Sequence, residues 1–209
     1  MSAPKCVIVV SLPLSGEDLL SKVLMELGYN AEGLGESSFV DPGLFQINTT
    51  ICGPFDKPTL ANVNREFMQE NILQYVEDKL NEGKPWLMSD TRLCATLCDF
   101  AAALDKKEID YKVITIMHQP HLSAMTLVAK CRWKIETAAD LVGRYIVGRG
   151  FSINTFLASH PDNKQKLIYV NSEDLINKAE EEISSLIDIL KLEVTEEQKQ
   201  KAIAVLKAS

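Results

Sequence analysis

The chain is poor in positive charge. Its 22 lysines and arginines face 29 aspartates and glutamates, which gives a net charge of −7 and a pI near 5.1. A general nucleic-acid binder needs a basic footprint, so no nucleic-acid partner is expected. Any polyanionic ligand must find a local basic pocket, because the overall field repels it. Long apolar runs are also missing. None approaches the ~20 residues of a membrane span, so no membrane partner is expected. The opening segment MSAPKCVIVVSLPLSGEDLL lacks the longer apolar region and small-residue cleavage site of a signal peptide. It reads instead as a strand running into a helix, and a cytoplasmic location is expected. Histidines number only three and cysteines five. An odd cysteine count without a secretion signal reads as reduced thiols. Cys94 and Cys98 lie four apart on a predicted helix with no tighter ligand cluster, so no metal is expected. The thiols read as small apolar side chains.

What is present is the composition of a globular chain, with 46% hydrophobic and 24% charged residues in 209. That length suits one domain over residues 1–209 with a sizeable core. No internal repeat, low-complexity tract or domain boundary stands out. The β-branched run at 6–11 reads as a buried strand, followed by a helix at about 16–28 that Gly28 closes. Residues 29–58, rich in Gly, Pro, Asn, Ser and Thr, read as a long loop. A helix is predicted at about 59–82, a strand at 86–89, and a helix over RLCATLCDFAAAL. A strand at 111–117 and a helix from PHLSAMTLVAKCRW follow. A long helical region over 136–159 is expected to break near Gly148–Gly150. The strand KLIYVN, one helix over SEDLINKAEEEISSLIDILKL and a last helix capped by Thr195 with Gln198 complete the chain. Strands alternating with helices imply a mostly parallel sheet of four to five strands with helices on both faces. Ligands of such sheets bind beyond the carboxyl ends of the strands. The loops at 11–16, 89–92, 117–122 and 171–173 are therefore the ones that matter.

The first of these loops has a mixed character. VIVVSLPLSGEDLL is strand, turn and helix start, the layout of a phosphate cradle. Its turn holds no lysine or arginine, and Glu17 and Asp18 sit where an anion would dock. Ser15 as N-cap and Asp18 three residues on form a capping-box pattern, and both acids complement the helix dipole. The stretch thus reads either as a helix capped by its own carboxylates or as an anion site. An acid here would also serve as a base or meet a cationic ligand.

Four segments together resemble the sulfotransferase family. VIVVSLPLSGEDLLSKVLMELGYNAEG is similar to its donor loop, Gly-x-Pro-(Arg/Lys)-Ser-Gly-Thr-(Ser/Thr)-Leu-Leu. WLMSDTRLCATLCDF is similar to Trp-x-x-Lys-Asp-Pro-Arg-Leu-Cys. KVITIMHQPHLSAMTLVAK resembles the Arg-(His/Asn/Asp)-Pro-x-(Asp/Glu)-x-x-x-Ser segment, and KLIYVNSEDLINKAEEEISSLIDILKLE resembles the late Val-x-Tyr-Glu-Asp-Leu strand and helix. The resemblance implies a three-layer α/β fold of the P-loop NTPase-like type. It also implies transfer of a sulfuryl group from 3′-phosphoadenosine 5′-phosphosulfate (PAPS, leaving PAP) to a small-molecule acceptor, held by residues from about 30–80 and 130–160. Pro13, Ser15, Gly16, Leu19 and Leu20 match the donor loop, while Leu14 takes the cation position and Glu17 and Asp18 the hydroxyl positions. Asp90 and Arg92 match the second segment, with Ser89 in place of its lysine and Thr91 of its proline. Pro120 matches the third, with His118 at its arginine and Thr126 at its serine. Glu173, Asp174 and Leu175 match the fourth.

On this resemblance Pro13, Leu14, Ser15, Gly16, Asp18, Arg92 and Thr126 are the donor-contact positions. Glu17, Asp90 and His118 are the candidate bases. The residues that set the fold are kept and most that recognise charge are not. Leucine for a cation removes a charge-assisted contact of ~1.5–3 kcal/mol. Each added carboxylate at ~4–6 Å from the donor costs roughly 3–4 kcal/mol at an effective dielectric near 20. Arg132, Arg144 and Arg149 are candidates for a displaced basic pocket. The alternative is a non-catalytic binding or assembly protein, homo-oligomeric or not, on the same fold without PAPS binding. Without Gly-Lys-(Ser/Thr), an ordinary P-loop phosphotransferase ranks below both.

Overall fold

The β-branched apolar runs form the sheet. β1 (Cys6–Val10), β2 (Trp86–Ser89), β3 (Tyr111–Met117) and β4 (Leu167–Asn171) pair in the order β2-β1-β3-β4, every pair parallel. The computed structural model describes residues 3–31, 41–54 and 65–208. All of β1 is buried, as a central strand covered on both faces must be. Side chains alternate across it. Cys6, Ile8 and Val10 join one apolar cluster, and Val7 and Val9 join another.

The first cluster takes α2 (Pro42–Cys52), α3 (Arg65–Glu82), α4 (Leu93–Lys106), α5 (Pro120–Cys131) and α6 (Ile135–Ser159). The second takes α1 (Glu17–Glu26), α8 (Ser172–Asn177), α9 (Ala179–Leu190) and α10 (Glu196–Lys207). One short turn, α7 (Asn163–Lys166), leads into β4. The result is the three-layer α/β arrangement expected from the alternation. No helix among the described residues is long and apolar enough to cross a membrane.

Register fixes which turns meet. Val9 pairs with Ser89 and with Ile114, and Thr115 pairs with Val10 and Tyr169. The turns after all four strands therefore leave from the same edge.

Local structure departs from the sequence reading in four places. Residues 41–52 are not loop: α2 forms there. Asp41 caps it, accepting from the N–H groups of Gly43 (2.8 Å) and Leu44 (3.1 Å), with Pro42 in its first turn and Gly53 at its end. The early part of the predicted 59–82 helix, before Arg65, lies outside the described residues. α6 runs unbroken for 25 residues through both Gly148 and Gly150. Packing outweighs a helical cost of about 1 kcal/mol per glycine. A Cβ on Gly148 would lie 3.5 Å from Cys94 Sγ, so α6 runs in contact distance of α4 there. The single helix expected after β4 is two, broken at Lys178 (φ −127°, ψ 43°). Asn171 caps the first of them, because its side chain accepts from the Glu173 N–H at 2.9 Å. The Thr195–Gln198 capping box forms as expected.

α2 is tied to α3 by a buried ion pair, Lys79 Nζ to Asp41 Oδ2 at 2.7 Å. Asp41 thus caps one helix and neutralises a cation of another. Asp41→Ala is expected to lower unfolding free energy by about 3 kcal/mol, from the lost cap and the weakened buried pair. Urea denaturation of the two proteins measures it; a loss under about 0.5 kcal/mol would contradict this double role.

Candidate functional site

The turn after β1 is bent by two left-handed residues, Leu14 (φ 54°) and Gly16 (φ 102°). Such a backbone turns successive N–H groups inward and makes a concavity for an anion. The anion inside it is the chain's own. The Glu17 carboxylate accepts from the N–H groups of Leu14 (Oε1, 3.0 Å) and Ser15 (Oε2, 2.9 Å). This corrects the capping expectation. Gly16 occupies the N-cap position of α1 without a side-chain bond, and Ser15 Oγ is buried with no partner among the described residues. Asp18 is exposed and closes no box. Glutamate at 17 has the reach to fold back two and three residues, which the shorter Asp18 lacks.

Enclosure pushes the Glu17 carboxyl up to about 7, outweighing the hydrogen bonds that favour its charged form, and the Asp18 charge adds to the rise. Burial also raises Asp18, while Lys22 and Lys130 pull it down.

Arg92 and Asp90 close the turn after β2. Both are buried, and their bond is bidentate: Nε to Oδ1 at 3.0 Å and Nη2 to Oδ2 at 2.7 Å. The Asp90 Oδ1 atom also takes the Arg92 N–H at 2.8 Å. The remaining edge of the guanidinium, Nη1, donates to Thr49 Oγ1 at 2.6 Å. Phe45 stacks on it with 4.6 Å from guanidinium carbon to ring centre. Arg92 is thereby the tie between α2 and the sheet, with its donors facing protein groups.

At the end of β3, His118 Nδ1 lies 2.7 Å from Ser172 Oγ, across the turn after β4. Its Nε2 is buried and meets no partner among the described residues. Burial lowers its pKa, opposed by Glu173 and assisted by His121, which favours the neutral ring. A Cβ on Gly16 would lie 3.9 Å from Ser172 Cβ, which brings the first loop to the same place. The structure therefore gathers Gly16, Ser172 and His118, with buried Pro13 and half-buried Leu14 in the loop wall. It does not gather Thr126, whose hydroxyl donates back along its own helix to the Leu122 carbonyl at 2.8 Å.

One further feature was not legible in the motifs. A cavity of about 690 Å³ opens between the end of α2, α4 and α6, lined among others by Cys52, Cys94, Val147, Gly148 and Phe151. Its wall is mostly apolar. Val147 and Phe151 stand at 73% exposure each, unusual for side chains of that kind. Arg144 at this cavity pairs with Asp140 at 2.8 Å. Burial pushes the Cys52 and Cys94 thiols up to about 12, so both are inert small apolar groups. Among the described residues no three potential ligands gather to hold a metal. The signal for the cavity was the stripe of apolar and glycine residues along α6, readable only once its continuity is known.

A three-layer parallel α/β fold whose first strand–helix turn is an anion cradle defines the P-loop-like class. Within it the chain has a sulfotransferase-like fold. Sulfotransferase STF1 from Mycobacterium tuberculosis H37Rv superposes with a TM-score of 0.66 at 12% identity, over 100% of this chain and 72% of that one. Mouse sulfotransferase SULT7A1, complexed with PAP, gives 0.60 at 12% identity over 99% and 66%. A gluconokinase from Sinorhizobium meliloti 1021 gives 0.51 at 10% identity over 100% and 94%. No family model and no curated protein matches the sequence. Identities this low establish the fold and leave chemistry to the site.

Two outcomes follow from the geometry. Arg92→Ala should cost about 4 kcal/mol in urea denaturation, since it strands a buried Asp90 carboxylate and unties α2. Glu17 binds its proton more tightly folded than unfolded, so stability should fall as pH rises from its ordinary 4.5 toward about 7 and level off above. Thermal melts across that interval should show this decline in the parent protein and a shallower one in Glu17→Gln.

Proposed function

We propose that this protein is a small-molecule-binding protein on a single sulfotransferase-like domain that has lost PAPS binding, and that its ligand occupies the cavity between α4 and α6. The observation that carries this reading is the Glu17 carboxylate in the loop amides. The donor's 5′-phosphosulfate would compete with it for the same N–H groups. Its fit with the other residues is poor as well. Leu14 is apolar where a cation would stabilise the leaving phosphate. Asp18 adds like charge, Thr126 has turned to its own helix, and the donors of Arg92 are spent on Asp90 and Thr49. Each like-charge contact at ~4–6 Å opposes binding by roughly 3–4 kcal/mol at an effective dielectric near 20.

The reading needs no metal and no nucleic acid. With its reduced thiols and acidic surface, the protein would work in the cytoplasm. One feature favours the second reading, sulfuryl transfer to a small-molecule acceptor. His118 is a neutral imidazole with an unpartnered Nε2 at the carboxyl edge of the sheet, where a base would take an acceptor proton.

Thermal melts with PAP separate the two. The parent protein should show no shift at millimolar PAP. The Leu14→Arg/Glu17→Thr double variant, which restores the donor-loop pattern of the family, should gain one. Saturation at 100 times Kd corresponds to ~2.7 kcal/mol. A clear shift in the parent protein, abolished by His118→Ala, would overturn the binding-protein reading in favour of transfer.

A further inference from the structure

The cleft has lost its loop cation, yet a cation reaches it from elsewhere. Arg149 lies on the inward stripe of α6, four residues after Tyr145 and three before Ser152, both buried. The residue is half-buried, and its Nη1 donates to the carbonyl of Ile116 at 2.9 Å, one residue short of the end of β3. Among the described residues it pairs with no carboxylate, unlike Lys79, Arg92 and Arg144. A half-buried guanidinium held by one neutral carbonyl is incompletely compensated, and burial lowers its pKa.

Unused hydroxyls lie at the same edge. Thr115 precedes the Ile116 carbonyl and, by strand alternation with Tyr111 and Val113, faces the layer that contains α6. Thr115 Oγ1 is buried without a partner among the described residues, and so is Ser123 Oγ in the first turn of α5, which packs on α6. Arg149 also stands beside the cavity. The neighbouring Gly148, together with Tyr145 and Ser152 on the same stripe, lines it, and the Cys94 thiol in its wall feels the Arg149 charge.

We infer that Arg149 is the anion contact of this protein, and that it holds the oxyanion group (sulfate, phosphate or carboxylate) of a small molecule whose apolar body fills the α4–α6 cavity. The cation that a donor loop would have supplied from the β1 turn is thus supplied by α6, on the ligand's side of the cleft. The apolar half of the ligand rests on the cavity reading above; the anion contact does not.

Calorimetry with 4-nitrophenyl sulfate and its uncharged analogue 4-nitroanisole, and thermal melts with inorganic sulfate, test both halves. The parent protein should bind the sulfate ester at least tenfold more tightly than the anisole. Arg149→Met should erase that difference, and Arg149→Lys should keep part of it. Inorganic sulfate should raise the melting temperature of the parent protein and not of Arg149→Met. In ligand-free buffer Arg149→Met should melt at the parent temperature or above, because a poorly compensated charge is removed. A lower melting point with the sulfate preference intact would mean that Arg149 is merely structural, and overturns the inference. A sulfate-dependent shift that needs Arg149, with neither aryl compound bound, would keep the anion contact and remove the cavity ligand. No response to any of the three probes would sink both.

Discussion

Four parallel strands in fixed register impose the constraint from which the rest of this structure follows. A parallel pair cannot be closed by a hairpin, so every strand hands over to a helix and every strand–helix turn leaves from one edge. Residues far apart in sequence, Gly16, Asp90, His118 and Ser172, are thereby delivered to a single rim. The two apolar clusters, one on each face, hold that rim rigid. Asp41 with Lys79 joins α2 to α3, and Arg92, held in place by Asp90, joins α2 to the rim through Thr49.

Rigidity of this kind lets a strained loop persist. Leu14 holds a left-handed conformation that costs a β-carbon-bearing residue of order 1 kcal/mol. Glu17 offsets the strain by satisfying two amides that the bend leaves open. A loop shaped for an anion keeps its shape when the anion becomes part of the chain. The same carboxylate is partly enclosed by the loop, which raises its proton affinity and links the loop to pH near neutrality. The arginines differ in what they meet: Arg92 serves the fold through Asp90 and Thr49, and Arg149 donates to the Ile116 carbonyl.

Much of the fold was legible because burial on both sides of a parallel sheet leaves a plain record. The runs CVIVV, WLMS, YKVITIM and LIYVN each became the strand they suggested. The misreadings have physical causes. Residues 41–52 look like loop by composition, yet Asp41-Pro42 is a helix start whose strength comes from Lys79, 38 positions on. Gly148 and Gly150 suggested a break, yet α6, packed along α4 and α5, runs through both. In the loop after β1, the sequence pattern assigned the cap to Ser15 and Asp18, whereas Glu17 takes the loop amides. Two left-handed residues decide otherwise, and neither is announced by its residue type alone; leucine rarely takes that conformation.

The alternation of strands and helices, the two-sided core, the absence of a loop cation and the presence of acids in its place were all set by the sequence itself, since each depends on local pattern or on residue identity. Only the tertiary structure decided where the charges go. Whether an acid points into a cradle or out to water, whether an arginine meets a carboxylate or a lone carbonyl, and whether a helix leaves space beside it are outcomes of packing between segments that no local pattern encodes. In this protein those outcomes turn the amides of the β1 loop onto Glu17 and place a candidate ligand contact on α6.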